Sequence, residues 1–205
     1  MPRMPQSGKG MSQRFQRAFT AVMGREGGWA DNPADHGGET YKGIARKFWA
    51  SWPGWAIVDV IKGDYRATAP RFGCPGYKTY AADLSKRLAD HSGLQYLVEI
   101  FYWKNFWLAA YDSLSYEPLA VWLFDKGVNM GLSGGKSRAH RWLQEALAVT
   151  VDGLIGPQTI RAVNSHPEPA RLLEEAREKA REYYRSLARH DPSQAQFLAG
   201  WLARA

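Results

Sequence analysis

Residues 15–44 read FQRAFTAVMGREGGWADNPADHGGETYKGI, and this stretch joins a helical pattern to a loop rich in turn residues. Phe15, Phe19 and Val22 recur at helical spacing, which predicts a helix with one apolar face. Glu26 lies three turns after Phe15, so it falls on the apolar face of that helix instead of the solvated one. A glutamate at such a position needs a chemical reason.

The predicted position of Glu26 favours a protonated carboxyl group. Gly27 and Gly28 are typical of a helix end, which places Glu26 in a last turn whose free carbonyls disfavour a negative charge. Desolvation by apolar neighbours acts in the same direction, since both effects raise the pKa of a carboxyl group. A general acid that works near neutral pH needs such a raised pKa. The alternative is a glutamate that turns to solvent, and periodicity alone leaves both readings open.

The segment after Gly28 has the composition of a folded-back loop. Its turn-forming and polar residues are Asp31, Asn32, Pro33, Asp35, Gly37, Gly38 and Thr40. If this loop returns over the helix end, Asp35 and Thr40 come near Glu26 and form a carboxyl pair with a hydroxyl that positions a water. Two carboxylates that flank the scissile bond are the usual arrangement for glycoside hydrolysis.

Length and cysteine content restrict the class of protein. The 205 residues suit one domain or two small lobes and can bury a core without disulfides. The single cysteine, Cys74, forms no internal disulfide, and the five histidines are scattered without ligand spacing. We therefore expect no metal site and no cofactor, and we interpret Cys74 as a loop or core residue.

The charge and the aromatic content indicate an anionic, carbohydrate-like partner. The net charge is +7 and the pI is about 9.5, which favours an anionic partner without identifying it. Nine tryptophans and ten tyrosines supply flat rings that suit sugars as well as bases. Since no zinc-finger or RRM signature accompanies them, a carbohydrate ranks above a nucleic acid.

Residues 1–10 lack the apolar run of a signal peptide, and no later stretch has the length of a membrane span. The sequence therefore predicts a disordered lead over residues 1–10, followed by a soluble protein made in the bacterial cytoplasm.

The middle of the chain is only partly interpretable. Ile44–Trp49 is predicted to form a short helix, whereas residues 51–80 carry no clear period and are interpreted as an insertion that lines one side of a cleft. Residues 80–101 predict two helices that end at YWKNFW, residues 102–107.

Helices dominate the remainder of the prediction. Glu117 and Pro118 open a helix that is apolar on all sides, where Asp125 and Asn129 stand one turn apart. Those two residues either brace each other and a nearby loop, or border the cleft and hold Glu26 or a substrate hydroxyl.

The C-terminal part predicts further helices. An amphipathic helix precedes VDGLIGPQT, residues 151–159, which forms a turn and a helix start. The longest helix begins near Pro169 and reaches about Arg189 with a salt-bridged outer face, and Ser193 is expected to cap a last short helix.

Several of these strings resemble glycoside hydrolase family 108, a family of N-acetylmuramidases. EGGWADNPADHGGETYKGI (residues 26–44) is similar to its opening signature, FDKGVNMG (124–131) to its Phe-Asp-x-x-x-Asn-x-Gly string, and FLAGWLAR (197–204) to its closing string. The DGLIGPQT string (152–159) resembles the peptidoglycan-binding repeats of wall hydrolases. The resemblance runs from about Phe15 to the end, with residues 51–80 outside it.

The resemblance implies a mainly α, lysozyme-like helical fold whose catalytic cleft lies between an N-terminal segment and a helical C-terminal part. It implies a catalytic muramidase region over residues 11–116 and a helical peptidoglycan-binding-like region over residues 117–205 packed on it. The expected activity is an endolysin-type lysozyme that cleaves the β-1,4 bond between N-acetylmuramic acid and N-acetylglucosamine.

In that activity Glu26 is the general acid, Asp35 the second carboxylate and Thr40 the residue that holds a water. The residues expected to contact substrate are Trp29, Tyr41, Tyr102, Trp103, Asp125 and Asn129. A lytic transglycosylase, which needs only one such acid, and a wall-binding protein without catalysis remain alternatives, and the sequence does not decide between inversion and retention.

The expected partner is Gram-negative peptidoglycan, reached in the periplasm through a holin or a dedicated export route. We expect a monomer that binds no nucleic acid.

Overall fold

The computed structural model describes residues 10–24, 27–33, 35, 37–65 and 69–205. Its α-helices are α1 (Gln13–Met23), α2 (Gly54–Gly63), α3 (Tyr77–Asp90), α4 (Ser92–Phe106), α5 (Ala109–Asp112), α6 (Glu117–Met130), α7 (Arg138–Ala146), α8 (Pro157–Asn164), α9 (Pro169–His190) and α10 (Leu198–Arg204). A 3-10 helix spans Pro192–Phe197. The strands are β1 (Trp29–Ala30), β2 (Thr40–Tyr41) and β3 (Ile44–Ala45). The mainly helical prediction is confirmed. Among the described helices, none has the length and apolar character that a membrane crossing requires.

The chain folds as two compact units. One comprises Phe19–Lys104, and the other combines the described residues up to Ala18 with Asn105–Ala205. The first carries the small sheet with α2 and α3, and the second carries the helices from α5 to α10.

The sheet is a three-stranded antiparallel meander in the order β1-β2-β3. Strands β2 and β3 are joined by Lys42 and Gly43, whose φ angles are 45° and 78°. A two-residue turn with positive φ at both positions matches the twist of paired strands. The Tyr102 hydroxyl donates to the Lys42 carbonyl at 2.6 Å, and Lys42 Nζ donates to Gln95 Oε1 at 2.6 Å. These two hydrogen bonds hold Lys42 at a positive φ, a conformation that residues with a Cβ rarely adopt.

The predicted helix over Ile44–Trp49 is wrong. Ile44 pairs with Tyr41 as part of β3, and turns follow it. The physical reason is the turn at Lys42, which folds the chain back so that the backbone groups of Ile44–Ala45 bond across to β2.

The segment that carried no clear period contains α2. Pro53 precedes this helix as its N-cap residue, and Trp52 and Trp55 meet edge to face with ring centroids 5.2 Å apart. A Cβ on Gly54 would lie 2.2 Å from the Trp52 ring, so only glycine allows this packing. Cys74 lies exposed in a turn after α2.

The core of the second unit is built on aromatic rings around α6. Phe15 packs edge to face against Trp107 and Phe124, with centroids 5.5 and 5.8 Å apart. On the other side, Trp142 of α7 packs against Tyr183 and Tyr184 of α9. The buried character predicted for α6 is confirmed, since the residues between its first and last turns are almost all buried.

The polar core of the second unit centres on His140, which is fully buried. Its Nδ1 donates to the Gly153 carbonyl at 2.8 Å, so its Nε2 is the acceptor for the Tyr111 hydroxyl at 2.7 Å. Burial lowers the pKa of His140 to about 4 and raises the pKa of Tyr111.

The end of the chain differs in one detail from the prediction. Asp191, and not Ser193, is the capping residue, because its side chain accepts from the Ser193 backbone N–H at 3.1 Å.

Candidate active site

The segment that carries Glu26 follows α1. The predicted apolar face is confirmed by Phe15 and Val22, which are 0% and 2% exposed, and the helix ends at Met23. The described helix therefore ends before the stop predicted at Gly27 and Gly28, and Glu26 itself lies outside the described residues.

The chain directly after Glu26 is tightly anchored. The Trp29 backbone N–H donates to Ser85 Oγ of α3 at 2.8 Å, and the Lys42 N–H donates to the Gly28 carbonyl at 3.2 Å. A Cβ on Gly28 would lie 2.4 Å from Ser85 Oγ, so this close approach requires glycine. The segment bearing Glu26 therefore leads into backbone that is fixed on α3 and on the β2–β3 turn.

The loop after β1 returns to its starting point, as the sequence predicted. Thr40 of β2 pairs with Ala30 of β1. Within the loop, the position that a Cβ would take on Gly37 lies 3.5 Å from Asp35 Oδ1 and 3.7 Å from Thr40 Oγ1. The same position lies 2.9 Å from Ala45 Cβ, so a side chain at Gly37 would push into β3. The absence of a side chain at Gly37 thus leaves open a position that both the carboxylate and the hydroxyl border.

Backbone hydrogen bonds fix both of these side chains. Asp35 is exposed, and its Oδ1 accepts from the Gly37 N–H at 3.0 Å. The Thr40 hydroxyl donates to the Gly38 carbonyl at 3.1 Å, which leaves its oxygen lone pairs free to accept. An exposed carboxylate beside a hydroxyl acceptor is chemically able to hold and polarise a water molecule.

Sequence reasoning missed Glu39, which is the best-fixed carboxylate in this loop. Its side chain is 10% exposed. Oε1 accepts from Trp29 Nε1 at 2.7 Å and from Lys62 Nζ at 2.6 Å, while Oε2 lies 2.8 Å from Arg46 Nε. Two cations neutralise it, so Glu39 is a positioning residue that ties β1, the loop and α2 together. The sequence shows Glu39 between Gly-Gly and Thr40, which could have marked it as a candidate. Its partner Lys62, however, lies within residues 51–80, where no helical period was recognised.

The rings predicted to contact substrate differ in accessibility. Trp29, Tyr41 and Tyr102 are 5%, 0% and 2% exposed, so they form part of the core beneath the loop. Burial raises the pKa of Tyr41, and the hydrogen bond from Gln95 opposes that rise. Trp103 is half-buried. Of the four rings, only Trp103 offers an accessible surface in this structure, and direct sugar contact by the others stays a prediction.

Asp125 and Asn129 belong to the second unit and are bonded to each other. Asn129 Nδ2 donates to the Asp125 carbonyl at 2.6 Å and lies 3.2 Å from Asp125 Oδ1. The Asp125 carboxylate also pairs with Lys126 Nζ at 3.2 Å and with Arg204 Nε at 3.5 Å. Lys126 Nζ in turn donates to the Arg204 carbonyl. These contacts describe a brace between α6 and the end of α10, and a role in substrate binding stays a prediction.

The helical architecture with its small meander is consistent with a lysozyme-like fold. Residues 19–131, more than half of the chain, match the family described as Glycosyl hydrolase 108, and the chain belongs to that family. Residues 138–205 match a family described as Predicted Peptidoglycan domain. The protein is thus a glycoside hydrolase of the N-acetylmuramidase type that acts on peptidoglycan.

Among solved structures, the chain resembles SagA of Brucella abortus. The TM-score is 0.57 at 23% sequence identity, and the match covers 93% of this chain and 88% of SagA. At that identity the likeness supports the lysozyme-like fold alone. No curated protein matches the chain.

Proposed function

We propose that the protein hydrolyses the β-1,4 bond between N-acetylmuramic acid and N-acetylglucosamine, with Glu26 as general acid, Asp35 as the second carboxylate and Thr40 as the residue that holds the water. The observation that carries this proposal is that Asp35 Oδ1 and Thr40 Oγ1 lie 3.5 and 3.7 Å from one and the same position beside Gly37. Membership of the family supports the reaction class.

The proposed roles of Asp35 and Thr40 follow from the surroundings of their side chains, and that of Glu26 follows from the sequence. Glu26 gives its proton to the leaving oxygen as positive charge develops on the sugar ring. Asp35, exposed and held by the Gly37 N–H, takes a proton from the attacking water. Thr40 accepts a hydrogen bond from that water while its own hydroxyl donates to the Gly38 carbonyl.

The test is product analysis on purified sacculi. We expect the wild-type protein to release muropeptides with new reducing ends, Glu26→Gln to lose this release, and Asp35→Asn to reduce it at least about tenfold, as is typical when an acid–base group is removed. The matched controls are Asp90→Asn and Glu182→Gln, two exposed acids with no ion pair among the described residues. Full activity of Asp35→Asn would remove Asp35 from the mechanism, and anhydro ends would show transglycosylation in place of hydrolysis.

The biological setting is part of the same proposal. We propose that the substrate is Gram-negative peptidoglycan in the periplasm, that a monomer acts there in endolysin-type cell lysis with antimicrobial effect, and that a phage holin or a dedicated export route gives access. Support comes from the wall-directed C-terminal match and from the net charge of +7, which suits an anionic wall. Clearing of a suspension of chloroform-treated Gram-negative cells tests the proposed substrate. Light scattering, which gives the mass of the protein in solution, tests the proposed monomer.

A further inference from the structure

We propose that a basic cavity at the start of α7 binds the free carboxylates of the peptidoglycan peptide stem. The cavity has a volume of about 620 Å³, and its lining includes Lys136, Arg138 and Arg141. This inference rests on the proposed action on peptidoglycan, and it adds a second site in the unit that does not contain the acidic loop.

The three cations of this cavity are not held in ion pairs by the described part of the chain. Among the residues that the structure describes, no carboxylate forms an ion pair with Lys136, Arg138 or Arg141, and none lines the cavity. This contrasts with α9, whose arginines pair with glutamates, as Arg181 does with Glu174 at 2.6 Å. The acid nearest in the chain, Glu145, pairs with Lys179 at 3.6 Å. Asp152 attracts Lys136 without forming an ion pair with it, and its Oδ1 is bonded to Gln144 Nε2 and to the Leu154 N–H. The three charges are therefore available to an external anion.

The loop that carries Lys136 is ordered in advance of binding. Ser133 and Lys136 exchange backbone hydrogen bonds of 3.0 and 2.9 Å across Gly134 and Gly135, whose φ angles are 57° and 76°. Lys136 also forms a β-bridge with Leu154. A preformed loop binds with a smaller loss of conformational entropy.

The two arginines are also held in place. The Arg138 guanidinium stacks 4.2 Å above the centre of the Tyr183 ring. Arg141 lies against Gly153, where a Cβ would be 3.3 Å from Arg141 Nε. A guanidinium that is held by packing keeps its planar set of donors ready for the two oxygens of a carboxylate.

The chemistry of the wall selects the peptide stem as the ligand. In peptidoglycan, the lactyl carboxyl group of N-acetylmuramic acid forms the amide bond to the peptide stem. The free carboxylates therefore lie on the peptide stem and not on the glycan strand. Met130 and Leu132 add apolar surface to the cavity, which suits the methyl groups of alanines beside those carboxylates. The volume of the cavity falls within the range of sites that bind small molecules. The match to a peptidoglycan domain begins at Arg138.

The experiment uses the free tetrapeptide stem, which lacks sugar and so has no scissile bond. We expect NMR titration of the full chain to shift the amides of residues 131–141. We expect the triple variant Lys136→Gln, Arg138→Gln, Arg141→Gln to weaken binding at least about tenfold, since it removes all three charged contacts to the carboxylates. A tetrapeptide whose carboxylates are amidated tests the same contacts without any substitution in the protein. We expect the wild-type protein to bind it as weakly as the triple variant binds the free tetrapeptide.

The matched control removes the same charge elsewhere, through Lys86→Gln, Lys104→Gln and Arg161→Gln, all of them exposed. Tetrapeptide binding that is unchanged in the first triple variant, or undiminished by amidation, would overturn the inference. So would a variant that loses affinity for duplex DNA but keeps affinity for the tetrapeptide. Release of reducing ends from sacculi is measured in parallel, and its absence in the wild type would contradict the proposed function independently of the tetrapeptide result.

Discussion

The buried pair of His140 and Tyr111 predicts an acid-sensitive second unit. Because burial lowers the pKa of His140 from 6.5 to about 4, the unfolded chain binds a proton in this interval that the folded chain does not. Stability is therefore fully present above pH 6.5 and falls as the pH drops toward 4. The difference in pKa corresponds to about 3 kcal/mol, of which roughly 2 kcal/mol is lost between pH 7 and pH 5.

The assay is urea unfolding of wild type and His140→Gln between pH 7 and pH 5. The substitution lowers stability at every pH because it disturbs the bonds to Gly153 and Tyr111, so the slope with pH is the informative quantity. We expect the free energy of unfolding to fall by roughly 2 kcal/mol more in the wild type than in the variant. His190→Asn, which removes an exposed histidine, serves as the control and should keep the wild-type slope. Parallel slopes in wild type and His140→Gln would refute the reasoning.

Two further predictions concern the support of the acidic loop. Glu39→Gln leaves two cations without their buried partner and should lower the free energy of unfolding in urea by about 1–3 kcal/mol. The control Asp59→Asn removes an acid that is 53% exposed and should cost less than about 1 kcal/mol. Equal losses in the two variants would contradict the bracing role of Glu39. Gly28→Ala places a Cβ against Ser85 and should lower stability by about 1–3 kcal/mol, whereas the Cβ of the control Gly27→Ala meets no atom within 4 Å. The measurement is thermal unfolding of both variants. Equal melting temperatures would show that the close approach of Gly28 to Ser85 does not require glycine.

The long helices were predictable because their patterns repeat over several turns. The α9 pattern extends over 22 residues, and α6 begins with Glu117 and Pro118, an acidic residue and a proline that both suit a helix start. The return of the loop after β1 was also predictable, since seven turn-forming and polar residues leave few other conformations.

The missed features depend on contacts between distant residues. Strand β3 has two residues, too few to show a period, and it is set by a turn that contains Lys42 where asparagine is usual. The role of Glu39 depends on Lys62, which lies 23 positions away in the segment that held the unrecognised α2. The brace around Asp125 depends on Arg204, which lies far along the sequence in α10, and no spacing in the sequence indicates that pair.

Mass spectrometry of the muropeptides that wild type and Glu26→Gln release from sacculi tests the central claim most directly. Muropeptides with reducing ends from the wild type, and none from the variant while it still binds sacculi, are the predicted result. Release at the wild-type rate by Glu26→Gln would contradict the account.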